Sequence, residues 1–234
     1  MIHTPSGDVA WNMAVDETLW ESIAPGDPPT LCLHDFDEEC VTLGFAQPAQ
    51  QIRSSQFGDL PWTRRLTGGG AIHHHGRTIS FSLIAHDLGE AKRPGPIACA
   101  LGRFLVSVWE RLGLETRVID SGDSATQSAP LCADRLYAGD VLHGDAKVAG
   151  IGQRFRRGRL LVQAALMLDR APSEETSSVG ARHAVPALEA AIGQCFRSPV
   201  KREELLSSLE EHAMSLRSLR YLNEEWRIRR RKSL

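Results

Sequence analysis

No two cysteines of this 234-residue chain are spaced as CxxC. Its five cysteines, Cys32, Cys40, Cys99, Cys132 and Cys195, are odd in number and widely spread. That argues against a disulfide framework and against a zinc site. No apolar run approaches the roughly 20 residues needed to span a bilayer. The N-terminus lacks a charged region followed by an apolar stretch, so no signal peptide is expected. An excess of charge of one sign is missing too, since the formal net charge is −2. Nothing here demands nucleic acid or an acidic membrane as partner. The basic run from Arg227 to Lys232 reads as a solvated helix end or tail. These absences point to a reducing cytoplasm.

What is present is ordinary for a soluble globular chain: 42% hydrophobic and 24% charged residues, enough for one large domain or one domain with a small appendage. There are no internal repeats and no long linker. Asn12 to Ile23 reads as a helix, with Met13, Leu19, Trp20 and Ile23 on one face. Asp16 and Glu17 are expected in its early turns, where the helix dipole favours acids. Pro25-Gly26-Asp27-Pro28-Pro29 stops it. Thr30–His34, Cys40–Leu43 and Ile79–Ile84 read as strands. Pro94 opens a helix with Ile97, Leu101, Phe104, Leu105, Val108 and Leu112 at helical spacing, and Gly113 stops it. Thr116–Ile119, Leu136–His143, Lys147–Ile151 and Leu160–Leu168 read as further strands, and Ser121–Pro130 as a loop. Ser198 and Pro199 are expected to open a last helix with Leu205, Leu206 and Leu209 inward. The elements do not alternate regularly. The expected fold is therefore α+β, a mixed sheet flanked by helices, and not a doubly wound nucleotide fold.

Two constellations carry chemistry. The first is Arg64-Arg65-Leu66-Thr67-Gly68-Gly69-Gly70-Ala71-Ile72-His73-His74-His75. Glycines let a backbone approach a ligand closely, and their N–H groups can cradle an anionic oxygen. The two arginines before them could hold negative charge. Adjacent histidines on a strand point to opposite faces, so the three do not form one metal site. One is expected to point into a pocket and another outward. The second constellation is Cys132 and Lys147, fifteen positions apart. Beside a thiol, an ammonium favours the thiolate needed for acyl transfer. It can equally neutralise a phosphate or polarise a carbonyl. The plainer alternatives are a buried cysteine and a solvated lysine at a Gly-Asp-Ala-Lys turn.

The run Arg64-Arg65-x-x-Gly68-Gly69-Gly70-Ala71-Ile72-x-His74 resembles the signature loop of the biotin/lipoate ligase superfamily, in the lipoate–protein ligase and octanoyltransferase branch. The stretch from Asp145 to Arg154 resembles its second signature. Asn12-Met13-Ala14-x-Asp16-Glu17, Thr42-Leu43-Gly44-Phe45-x-Gln47 and Tyr221-x-x-x-x-Trp226 resemble its opening helix, an early strand end and a closing motif. The resemblances follow family order and span nearly the whole chain. They imply a biotin/lipoate ligase-like catalytic domain at residues 1–196 and a short helical C-terminal extension at 197–234 packed on it. An acyl chain would lie in a hydrophobic tunnel near the glycine loop. Gly68, Gly69, Gly70, Ala71, Ile72, His73, His74, Arg65 and Gly150 would hold the acyl or acyl-adenylate group. Lys147 matches the signature lysine, and Cys132 is in register with the acyl-accepting cysteine of one group of octanoyltransferases.

Three readings stay open. In the first, Cys132 takes an octanoyl or lipoyl group from acyl carrier protein, needs no cofactor, and passes it to a lysine of a lipoyl-domain acceptor protein. In the second, ATP and Mg activate the free acid as an acyl-adenylate. In the third, the chain is a non-catalytic acyl-protein binding module. Gln163-Ala164-Ala165 stands where family members carry a His/Gln-Gly-Ser stretch, Ala133 follows Cys132 where an aromatic is common, and His75 replaces a frequent aspartate. Gly144-Asp145-Ala146 also departs from the usual glycine beside the lysine.

Overall fold

The computed structural model describes residues 1–4, 6–86, 94–120, 136–171, 181–196 and 200–229. Ten strands lie in it: β1 (Ile2–His3), β2 (Thr30–His34), β3 (Cys40–Leu43), β4 (Trp62–Arg64), β5 (Ile72–His74), β6 (Thr78–His86), β7 (Arg117–Val118), β8 (Val141–His143), β9 (Ala146–Arg156) and β10 (Arg159–Met167). The main sheet runs β1-β2-β6-β10-β9-β8-β7, and a small sheet runs β4-β3-β5. From β2 to β7 every pairing in the main sheet is antiparallel, while β1 joins β2 in parallel. The helices are α1 (Val9–Ser22), α2 (Gln50–Arg53), α3 (Pro94–Arg111), α4 (Ala181–Phe196) and α5 (Ser207–Leu216). This is the mixed α+β fold that the sequence predicts.

Helix α1 starts earlier than the apolar spacing suggests. The Asp8 side chain accepts from Trp11 N at 2.7 Å, which caps the first turn at Val9. Asp16 and Glu17 therefore fall in mid-helix, not in the early turns, and both are buried. The dipole does not explain them; buried partners do. The Tyr221 hydroxyl donates to Glu17 Oε2 at 2.9 Å, and Arg220 pairs with the same carboxylate. The C-terminal region thus packs on α1, with Ala213, Tyr221 and Trp226 in one apolar cluster with Met13, Leu19 and Trp20.

Helix α3 runs as its spacing predicts and stops where Gly113 takes φ 77° and Leu114 N donates to Trp109 O at 3.0 Å. It covers one face of the main sheet together with α4, and their buried residues Leu105, Val108, Trp109, Leu188 and Ala191 share a core with Phe81, Val148 and Leu166. Two expectations are corrected. The strand expected from Leu136 begins only at Val141, because Tyr137 N donates to Asp140 Oδ2 at 2.7 Å and closes a turn. The last helix opens at Ser207, and Leu206 just before it is 67% exposed, not inward. Residues 200–206 instead run extended beside β1, where Glu203 N donates to Met1 O at 2.9 Å. Ser198 and Pro199 lie outside the described residues.

Candidate active site

The glycine loop follows β4 and is held from below by the arginine pair. Arg65 is 1% exposed and sends Nη1 to Thr42 O at 2.9 Å, Nη2 to Gly68 O at 2.7 Å and Gly70 O at 2.8 Å, and Nε to Thr67 Oγ1 at 3.1 Å. Arg64 Nη1 similarly serves the carbonyls of Gly44, Phe45 and Gln47. Both guanidiniums are thus directed onto backbone, Arg65 onto the glycine loop and Arg64 onto the Gly44–Gln47 turn. Trp226 Nε1 donates to Arg64 O at 3.0 Å, which ties the closing motif to the same pair.

Two glycines outside the loop let it sit where it does. A Cβ at Gly44 would meet Gly69 O at 1.9 Å, and one at Gly152 would meet Thr67 Oγ1 at 2.7 Å and Gly68 O at 2.9 Å. Such separations exclude any side chain without displacement of the loop. A second support comes from Gln163. Thr67 Oγ1 donates to Gln163 Oε1 at 2.7 Å, and Gln163 Nε2 donates to Asp16 Oδ2 at 2.6 Å. Ser82 Oγ also donates to Asp16 Oδ2, at 2.6 Å, and His34 Nε2 lies 3.0 Å from Asp16 Oδ1. The buried acid of the opening helix is therefore linked through one glutamine to the glycine loop. Among the described residues Asp16, Cys32 and His34 bring donor atoms within 4.8 Å of one another. These hydrogen bonds occupy the carboxylate, and burial pushes the Cys32 thiol well up. Asp16 Oδ1 faces the His34 ring, and His34 Nδ1 is buried without a hydrogen-bond partner among the described residues. Sequence reasoning missed Gly44, Gly152 and Gln163 as loop supports; the first two had stood in recognisable motifs, and the third looked like a defect.

The histidines divide by strand alternation. His74 is buried on β5, with Nε2 2.8 Å from Thr42 Oγ1 and Nδ1 2.8 Å from Ser80 Oγ, and it stacks on Phe36. Burial, then the Arg65 charge, hold its pKa well below the usual imidazole value. It belongs to the core. His73 and His75 share the opposite face, with ring centroids 4.8 Å apart, and pair with Glu39 and Asp169. They line a 210 Å³ pocket with Ala71, Ile72, Gly150 and Arg170.

On the α3 side of the main sheet lies an apolar cavity of 260 Å³, lined by residues that include Phe81, Leu83, Leu101, Phe104, Ile151 and Ala164. Ile151 also lines a 410 Å³ pocket beneath Gly68 and Gly69, with Gln47, Gln51, Tyr137 and Gln153. Ile151 is the residue that the described linings of the two spaces share. Lys147 stands on β9 beside an irregularity of the β8–β9 ladder, where Val141 opposes Ala149 and the next residue, Leu142, opposes Lys147. Lys147 is buried, its Nζ 2.6 Å from Asp140 Oδ2 and 5.9 Å from the centre of the Tyr137 ring. Burial raises the Asp140 pKa, and Lys147 pulls it back. Cys132 lies outside the described residues.

An apolar cavity and a pocket under a glycine-rich backbone thus flank Ile151, on the strand that also carries the buried Lys147. The chain belongs to the lipoyl protein ligase A/B catalytic-domain family, whose model matches residues 8–202. It is an octanoyltransferase- or lipoate–protein-ligase-type enzyme. It is 28% identical to octanoyltransferase LipM of Kyrpidia tusciae, over 94% of this chain and 78% of that one. It is 26% identical to lipoate-protein ligase A subunit 1 of Thermoplasma acidophilum, over 72% of this chain and 61% of that one. The crystal structure of a lipoate-protein ligase A bound with ATP superposes with a TM-score of 0.79 at 22% identity, covering 97% of this chain and 96% of that one. The bipartite lipoate protein ligase of T. acidophilum, studied with its E2 lipoyl domain, gives 0.76 at 20% identity over 100% and 96%. No helix among the described residues is long and apolar enough to cross a membrane.

Proposed function

We propose that this chain transfers an octanoyl or lipoyl group to a lysine of a lipoyl domain through a thioester on Cys132. The Cys132 thiolate attacks the thioester carbonyl of the acyl carrier protein, and the carrier thiol leaves with a proton. The acceptor lysine amine then attacks the enzyme thioester, an amide forms, and the Cys132 thiol is released. Residues 1–196 are the catalytic part in this reading, and 197–234 the extension. The observation that carries it is an apolar cavity that shares its Ile151 wall with the glycine-loop pocket. At about 0.8 kcal/mol per buried methylene, the six methylenes of an octanoyl chain contribute about 5 kcal/mol of binding there. The lipoyl-domain acceptor agrees with the T. acidophilum relative, which was solved with one.

The second reading, an ATP-dependent ligase, draws on the pocket of Ala71, Ile72, His73 and Gly150 on the far side of the loop. Its apolar wall suits a nucleoside. The phosphates fit less well. Arg170 is the only arginine or lysine among the described lining residues, and Asp169 stands beside it. The pocket beneath Gly68 and Gly69 has no charged side chain among its described lining residues. A neutral wall suits a thioester better than a magnesium triphosphate.

Intact-mass analysis after incubation with octanoyl–acyl carrier protein, beside octanoate with ATP and Mg, tests the choice. A hydroxylamine-sensitive octanoyl adduct mapped to Cys132 supports the thioester. Full transfer by Cys132→Ala overturns it.

A further inference from the structure

The hairpin joining β9 and β10 carries Arg154, Phe155, Arg156, Arg157 and Arg159. Four cations fall within six residues, with no acid among them, in a chain whose formal net charge is −2. Phe155, Arg156 and Arg157 are exposed, and Phe155 is a large apolar ring 42% open to water. The turn is tight: Arg157 takes φ 53° and Gly158 φ 79°, the two left-handed residues that match the twist of a hairpin. Turn chemistry accounts for Gly158. It does not account for four arginines.

Their neighbours do not account for them either. No described carboxylate pairs with Arg156, Arg157 or Arg159. Arg156 and Arg159 face each other across the ladder, and Arg159 faces His86 on the other side. Like charges placed opposite one another oppose strand pairing. Arg154 is set apart. Its guanidinium lies over the rings of Phe45 and Trp20, at 4.9 and 5.7 Å, and donates to Leu66 O at 3.1 Å beside the glycine loop. Burial, then the charge of Arg156, lowers its pKa. The fold thus tolerates uncompensated positive charge at one rigid tip, around one exposed aromatic. Arginine and aromatic residues together are the composition of protein-recognition surfaces.

The tip also has a fixed relation to the reaction pocket. Gln153 lines the space beneath Gly68 and Gly69, and the strand leads outward from it. Three residues of strand put Arg156 about 10 Å from that wall. A partner seated on the tip must bridge this distance. The four-carbon stem of an acceptor lysine is too short, whereas the long prosthetic arm of a carrier protein is not.

We propose that the Arg154–Arg159 hairpin is the docking surface for the acyl donor, a carrier protein with a carboxylate-rich face that holds the acyl chain as a thioester on a flexible arm. The carboxylates meet Arg156, Arg157 and Arg159, Phe155 supplies the apolar contact, and the arm runs inward past Gln153 to the apolar cavity. This rests on the thioester reading of the site.

The test is calorimetric binding of octanoyl–acyl carrier protein to the full chain, wild type and Arg156→Glu/Arg157→Glu, at low and high salt. Wild-type affinity is expected to fall as salt rises, and the reversed tip to bind at least about ten-fold more weakly with a smaller salt slope. Phe155→Ala is expected to weaken binding and leave the slope intact. Acyl transfer from octanoyl-pantetheine, which has the arm and no protein, is expected to match wild type in both variants. Equal carrier affinity in wild type and the reversed tip overturns the proposal, as does no carrier binding by wild type. A loss confined to isolated lipoyl domain also overturns it and assigns the hairpin to the acceptor. Carrier binding that depends on the hairpin, without any hydroxylamine-sensitive adduct, refutes the Cys132 thioester and leaves the docking surface standing.

Discussion

Replacing Lys147 with methionine removes half of a buried ion pair. The ammonium sits 2.6 Å from Asp140 Oδ2, and both side chains are 1% exposed. Truncating one partner of such a pair strands the other charge and costs about 3–5 kcal/mol. At about 2–4 °C per kcal/mol for a chain of this size, Lys147→Met is expected to melt roughly 6–20 °C below wild type at neutral pH. Asp140 sets the pH dependence. Burial is the largest influence on it and raises its pKa, while Lys147 lowers it. Without the lysine that pKa rises further. A carboxyl whose folded pKa is raised contributes stability that is present below its unfolded pKa and lost as pH rises through the folded one. The deficit is therefore small below about pH 4 and grows towards neutrality. Asp140→Asn in the same chain removes the stranded charge and is expected to restore much of the loss. Circular-dichroism melts from acid to neutral pH, for wild type, Lys147→Met and the double variant, give the answer. A single variant that melts with wild type at neutral pH refutes the reasoning, and so does a double variant no more stable than the single. The double variant also separates structure from chemistry. If it folds and still fails to transfer octanoyl groups, the Lys147–Asp140 pair is needed for the reaction and not only for the fold.

Gly152→Ala places a Cβ 2.7 Å from Thr67 Oγ1 and 2.9 Å from Gly68 O, so the loop must shift. Calorimetric titration with a non-hydrolysable octanoyl thioester should show affinity reduced by about five-fold or more, for an overpacking cost of about 1–3 kcal/mol; unchanged affinity would take the loop out of the site. Ala164→Leu fills part of the apolar cavity and should move the preferred acyl donor from octanoyl towards shorter chains in a competition assay. An unchanged chain-length profile places the acyl group elsewhere. Burial and then Arg65 depress the His74 pKa. Its stabilising contribution is therefore complete above the unfolded value of about 6.5 and is lost as pH falls towards the folded one, at up to about 1.4 kcal/mol per pH unit. Urea unfolding across that window should show a steeper pH dependence for wild type than for His74→Gln, and equal slopes contradict it.

Local pattern was enough to place much of this molecule. The apolar spacing of α3, the β-type runs of β2, β3 and β6, and the turns at Pro25 and Gly113 are readable because helix and strand periodicity act over a few residues. So are the loop and lysine motifs that carry the family resemblance, since each is a contiguous stretch. What the side chains do there was decided by residues far away in sequence. Arg65 looks like an anion binder until the carbonyls of Thr42, Gly68 and Gly70 take its donors. Asp16 looks like a dipole partner until Ser82 and Gln163 close around it. Gln163 looks like a lost glycine motif until β10 pairs with β6 and β9 and brings it beneath Thr67. Leu205 and Leu206 follow a helical spacing, yet pairing of this segment with β1 draws the chain into an extended path. Helix α4 went unread, with Pro186 inside it. Buried polar groups must find partners, and burial depends on which strands meet. Short-range sequence therefore specified the elements and motifs, while the pairing of distant strands determined which charged and polar side chains are buried in structural roles.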